Sequence, residues 1–90
     1  MPAYSYNPKP KYPRAARLMG QEGQAVLRVE VLSSGKAGKI MVEKSTGYEL
    51  LDREAVEAVK RWRFQPAQRK NSPVNAWVRI PIEFNLRESK

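Results

Sequence analysis

Ninety residues make one small domain near the lower limit of independent stability, with 41% hydrophobic and 29% charged residues. The chain has no cysteine and no histidine, which excludes a disulfide framework and a thiolate metal site and removes the commonest general base. Seventeen Lys and Arg against nine Asp and Glu give a formal net charge of +8, a balance that favours an anionic partner: nucleic acid, a phospholipid surface or an acidic protein.

Residues 2–13, PAYSYNPKPKYP, hold four of the seven prolines and three of the four tyrosines. They read as a stiff, polyproline-like spacer rather than a ligand for a proline-binding groove. Residues 1–11 are accordingly assigned to the spacer and 12–90 to the folded domain, with residues 2–11 expected to add little stability. Met1 directly before this stretch suggests a piece of a longer protein, whose anchor or address would lie upstream. No apolar run approaches the roughly 18 residues of a membrane span, and no signal segment is visible.

Pro13 to Gly20 fits a short helix opened by proline and stopped by glycine. From Gln24 to Leu32 the chain alternates, with Ala25, Leu27, Val29 and Val31 on one side and Gln24, Arg28 and Glu30 on the other. That period of two marks a half-buried strand. Residues 33–38 have turn chemistry, and a second strand over 39–44 completes a hairpin with Ile40 and Val42 inward. A helix is expected from about Leu50 to Arg63, its apolar stripe formed by Leu51, Ala55, Ala58, Val59 and Trp62. Acidic residues crowd its start and basic ones its end, complementing the helix dipole. Phe64-Gln65-Pro66 ends it, and residues 67–73 form a polar loop. The last strand, 74–86, turns Val78, Ile80, Ile82, Phe84 and Leu86 to one face.

These elements predict an α+β fold: a three-stranded antiparallel sheet with the first strand central, packed by one long amphipathic helix, plus a short N-terminal helix. The expected core is Leu27, Val29, Ile40, Val42, Leu51, Ala55, Val59, Trp62 and Phe64. Trp62 and Phe64 resemble a base-stacking pair, but the place of Trp62 on the apolar stripe favours a core role. Helix-end charge and solvation explain most of the cluster Lys60, Arg61, Arg63, Arg69 and Lys70. Asp52, Glu54 and Glu57 lack any sign of a converging pocket, so no catalytic residue, metal ligand or cofactor is expected.

Pro81 is the most informative residue. It has no N–H to give a ladder, so its strand belongs at a sheet edge. Its main chain should face the free side together with Arg79 and Glu83, while Ile80 and Ile82 bond inward. Such an edge either is protected by the proline or serves as a template for an incoming strand.

Taken together, the chain resembles the TonB C-terminal domain family. The residues that carry this are Tyr12-Pro13 with Ala16, Glu22-Gly23 leading into VLRVEV, and Gly35. Ser45-Thr46-Gly47, Leu51-Asp52, Ala58-Val59, Trp62-Arg63-Phe64-Gln65-Pro66, Pro73-Val74 and Val78 to Phe84 follow. The resemblance implies a periplasmic domain of a protein anchored in the inner membrane by a segment absent from this chain. It implies coupling to the ExbB–ExbD complex and recognition of the TonB box of outer-membrane receptors for siderophores, haem or cobalamin. The implied contact residues are Arg14 and Arg17 of the short helix, and Val78, Arg79, Ile80, Pro81, Ile82, Glu83, Phe84 and Asn85 of the last strand. Neither nucleic acid nor a small-molecule substrate is an expected partner. The alternatives are a basic nucleic-acid-binding domain and a TolA-like envelope domain; the WRF-x-P pattern argues against the latter.

Overall fold

The computed structural model describes residues 4–87. Its elements run β1 (Tyr4–Tyr6), α1 (Arg14–Leu18), β2 (Gly23–Val31), β3 (Ala37–Lys44), α2 (Glu49–Lys60), β4 (Arg63–Phe64), β5 (Ala67–Arg69), β6 (Ser72–Val74) and β7 (Ala76–Phe84). The alternating residues of β2 place Ala25, Leu27, Val29 and Val31 on a buried face. β2 is the central strand of an antiparallel sheet of order β3-β2-β7. α2 buries Leu51, Ala55, Ala58 and Val59; of these Leu51, Ala55 and Val59 join Ile80, Ile82 and Phe84 of β7 in one core. Leu27, Val29, Leu51, Ala55 and Val59 are fully buried, and Trp62 and Phe64 nearly so.

Two local devices hold the frame. The first is Asp52, whose carboxylate accepts the Thr46 N–H (2.9 Å), the Thr46 hydroxyl (2.7 Å) and the Ser45 hydroxyl. These bonds tie the end of β3 to the first turn of α2, where Tyr48 supplies no side-chain cap. The second is Gly35, at φ +87 in the β2–β3 turn, where a Cβ would lie 2.5 Å from the Phe64 carbonyl oxygen. The Phe64 N–H donates to the Gly35 carbonyl (2.8 Å), so turn and β4 are locked face to face.

The structure departs from expectation in several places, the last strand among them: it runs Ala76–Phe84 rather than 74–86, which leaves Leu86 outside it. β3 begins at Ala37, which pairs with Val31 beyond a register shift, so the strand is longer than 39–44. Ile40 is partly buried against the core, but Val42 is 43% exposed and is no core residue. It lines a shallow depression against the polar flank of α2 at Glu49, Arg53 and Glu57, which leaves it open to water. α2 stops at Lys60 rather than Arg63. The Arg61 and Trp62 N–H groups turn back to the carbonyls of Ala58 and Val59 (both 3.0 Å), and Arg63–Phe64 pairs instead with β1.

Residues 67–74 form a two-stranded ribbon, β5–β6, rather than a loop. Its turn residues Lys70 and Asn71 have φ of 51 and 66, the pair of positive values that a tight hairpin turn requires. Finally, the proline-rich start packs on the fold. Tyr4 pairs with Phe64, its ring stands edge-on to Trp62 at 5.2 Å, and the Trp62 indole N–H donates to the Pro8 carbonyl (2.7 Å). Residues 2 and 3 of that stretch, like Met1 and residues 88–90, lie outside the described residues.

Candidate functional site

β7 pairs with β2 in step for nine residues, from Gly23 opposite Phe84 to Val31 opposite Ala76, with no bulge. Pro81 lies opposite Val26. Antiparallel pairs alternate between bonded and non-bonded, and a proline cannot form the bonded kind. Ala25–Ile82 and Leu27–Ile80 are therefore the bonded pairs. The main chain of Arg79, Pro81 and Glu83 then points away from β2, and among the described residues no strand takes up that edge. No register shift interrupts the ladder, which is the condition the expected parity depends on.

A groove of about 480 Å³ runs beside this edge. Pro81, Ile82, Glu83, Phe84 and Asn85 line it from β7 and the residue beyond, and Asn7, Lys9, Pro10, Tyr12 and Arg17 line it from the N-terminal segment and α1, with Trp62 also contributing. Tyr12 organises this wall. Its ring stands edge-on to Phe84 at 5.5 Å, its hydroxyl donates to the Gln21 carbonyl, and the Arg17 guanidinium lies 5.8 Å from its centroid. Burial raises the Tyr12 pKa; the Glu22 charge adds to this and Arg17 opposes it. Glu22 also accepts the Leu86 N–H (2.9 Å), fixing the chain where β7 ends.

The expected contact residues divide into groups. Pro81, Ile82, Glu83, Phe84, Asn85 and Arg17 come together at the groove. Arg14 is exposed on α1 and does not line it. Val78 and Ile80 turn their side chains to the core, leaving only main chain for an edge partner. The Arg79 side chain crosses the open face of the sheet to pair with Glu43, which also lies 3.9 Å from Arg28. Asn7, Lys9, Pro10, Tyr12 and Trp62 were missed as lining residues; the Tyr12-Pro13 motif was the signal that marked this segment.

The arrangement offers main-chain donors and acceptors, an aromatic wall and charges of both signs, which suits an extended peptide. Asp52 is committed to its hydrogen bonds: burial works against its charged form, but the bonds from Ser45 and Thr46 prevail and lower its pKa. No group of three or more acidic, histidine or cysteine side chains that could hold a metal ion occurs among the described residues.

Comparison with known proteins agrees with this geometry. The family model of the Gram-negative bacterial TonB protein C-terminal region matches residues 8–86. The chain is 51% identical over 83 residues to the tonB2 protein of Pseudomonas aeruginosa, covering 92% of this chain and 31% of that protein. It is 38% identical over 78 residues to TonB of Vibrio cholerae, covering 87% of this chain and 32% of that protein. The chain thus spans about a third of the length of these relatives. The solution structure of the Pseudomonas aeruginosa TonB C-terminal domain superposes with a TM-score of 0.75 at 29% identity, covering 88% of this chain and 80% of that one. The Helicobacter pylori TonB C-terminal domain gives 0.70 at 28% identity, covering 89% and 84%. A sheet with an unpaired, proline-bearing β7, a Tyr-Pro segment across the groove from it and a match over residues 8–86 all lead to one conclusion: the chain belongs to the TonB C-terminal domain family.

Proposed function

We propose that this domain grips the TonB box of outer-membrane transporters as an added strand along β7. In this reading it is the periplasmic working end of an energy transducer anchored in the inner membrane. Work drawn from the proton motive force by ExbB–ExbD passes through the anchor and spacer to the receptor, for uptake of siderophores, haem or cobalamin. The domain binds and transmits; it catalyses no reaction and needs no cofactor.

The observation that carries the reading is the unpaired edge of β7 bordered by the groove. Strand addition draws its affinity from main-chain hydrogen bonds, so one adaptor can serve receptors of differing sequence. The groove adds a second wall, which distinguishes this edge from a strand that is merely unpaired.

A proline scan tests the reading, because each proline removes one donor. Glu83→Pro should remain folded and bind a TonB-box peptide up to about tenfold more weakly, in line with the loss of one main-chain bond. Ile82→Pro should unfold the domain, since that N–H bonds to β2. A folded Glu83→Pro protein with undiminished peptide affinity would rule out strand addition at this edge.

A further inference from the structure

Between Glu57 and Glu83 the sequence carries no carboxylate, while Lys60, Arg61, Arg63, Arg69, Lys70 and Arg79 all fall in that stretch. Lys60 is paired with Glu57 and Arg79 with Glu43. Arg61, Arg63, Arg69 and Lys70 have no ion-pair partner among the described residues. The Arg63 guanidinium donates to the Arg61 and Trp62 carbonyls (3.2 and 3.1 Å), which leaves its charge uncompensated. Lys36, bridged to Arg63 through the main chain, adds another exposed cation at the same end of the sheet.

From this end the β5–β6 ribbon continues with every residue of Ala67–Pro73 exposed, and it pairs with no other strand among the described residues. A two-stranded ribbon without a covering layer is marginally stable alone. Its turn also places a lysine at φ 51, where glycine or asparagine would be less strained. A basic arm kept in this form points to a partner outside the chain.

We infer that the β5–β6 ribbon, with Lys36, Arg61 and Arg63 at its base, docks the domain on anionic phospholipid headgroups. Its cations are spread over separate elements rather than gathered in a pocket, and the groove at β7 includes none of them. No aromatic ring stands among Gln68, Arg69, Lys70 and Asn71 to stack a base. Dispersed cations on a projecting arm match the dispersed phosphates of a leaflet, where each Lys or Arg near the surface adds to the attraction. This surface is distinct from the β7 edge. It leans on the proposed function only for the periplasmic setting that brings a membrane within reach.

The test is flotation of the protein with phosphatidylcholine vesicles, with and without phosphatidylglycerol, at about 0.1 M salt, where screening beyond about 10 Å suppresses long-range attraction. The protein should float with the anionic vesicles and not with the neutral ones. Arg69→Gln with Lys70→Asn should weaken that binding roughly thirtyfold, as loss of two surface cations implies. Asparagine suits the left-handed turn, so the fold should hold. Lys39→Gln with Lys44→Gln removes equal charge from β3 and should weaken binding only about twofold.

Equal losses in the two double variants would mean diffuse attraction and overturn the inference. So would indifference to phosphatidylglycerol, or a preference for a soluble acidic polypeptide over vesicles. Box-peptide affinity measured on the same variants reports on β7 alone, so failure of either reading is recognised separately.

Discussion

β3 and β7 flank the same central strand, yet β3 meets it with two register shifts and β7 with none. The outer side of β3 is bent by those irregularities and carries Lys39, Glu43 and Lys44, with residues 41–44 all exposed. Bulges and charges are the usual protection against unwanted strand pairing. β7 pairs without a register shift beside a groove, and at its free edge Pro81 withholds one donor while the carbonyls and the neighbouring N–H groups meet no strand among the described residues. One edge is guarded and the other kept open, and the open one is where the Tyr12 wall was built.

Four measurements would sharpen or break this contrast. The largest effect is expected from Trp62→Ala, which should cost about 3–5 kcal/mol in denaturant unfolding, because the ring fills the core beside the groove. Native-like stability would mean that the ring contributes little to the β7 side. Next comes removal of residues 1–8, which takes away β1, the Tyr4 ring contacts and the Pro8 acceptor of Trp62. A loss of roughly 2 kcal/mol should appear as a fall of about 8–16 °C in Tm, with weaker box binding as the groove loses part of its wall. An unchanged Tm would show that the segment is an inert spacer after all.

Asp52 tests the β3 side. Its folded pKa lies below the ordinary 3.8, so its hydrogen bonds stabilise the fold fully above that value and are lost as pH falls through the lowered one. Asp52→Asn should cost about 1–2 kcal/mol at neutral pH and flatten the loss of stability in acid. An acid profile identical to that of the unsubstituted protein would assign that slope to other groups. The smallest effect belongs to Val42→Pro. If even residues of β2 bond to β3, Arg28–Met41 is a bonded pair and the Val42 main chain faces outward. The change should then cost under about 1 kcal/mol and leave box affinity alone. Any loss of peptide binding there would place the docking edge on the wrong side of the sheet.

What could be read from the sequence was whatever has a period. β2, α2 and β7 each bury one face over several repeats, so their residues announced both element and side. Pro81 announced the edge by what it lacks. Val42 kept the alternation of an inward residue, but alternation says nothing about how far a neighbouring helix extends. The ribbon was hidden because Lys70 and Asn71 adopt left-handed geometry without a glycine to mark it. The pairing of β1 with β4 joins residues nearly sixty positions apart, and prolines around Tyr4–Tyr6 gave that stretch the look of a spacer. Its three tyrosines were the only hint that something there packs, and one of them organises the groove.

The short β1–β4 ladder also has a mechanical consequence. Any tension arriving through the N-terminal segment meets Tyr4–Tyr6 before it meets the nine-residue seam between β2 and β7. Two register pairs and one indole hydrogen bond are a smaller hold than that seam, so under such a pull the segment should let go first, lengthening the chain and sparing the sheet. Because Asn7, Lys9 and Pro10, which follow directly, line the groove, its release would reach a peptide held there as proposed, and a steady pull and a slack line would present two different grips.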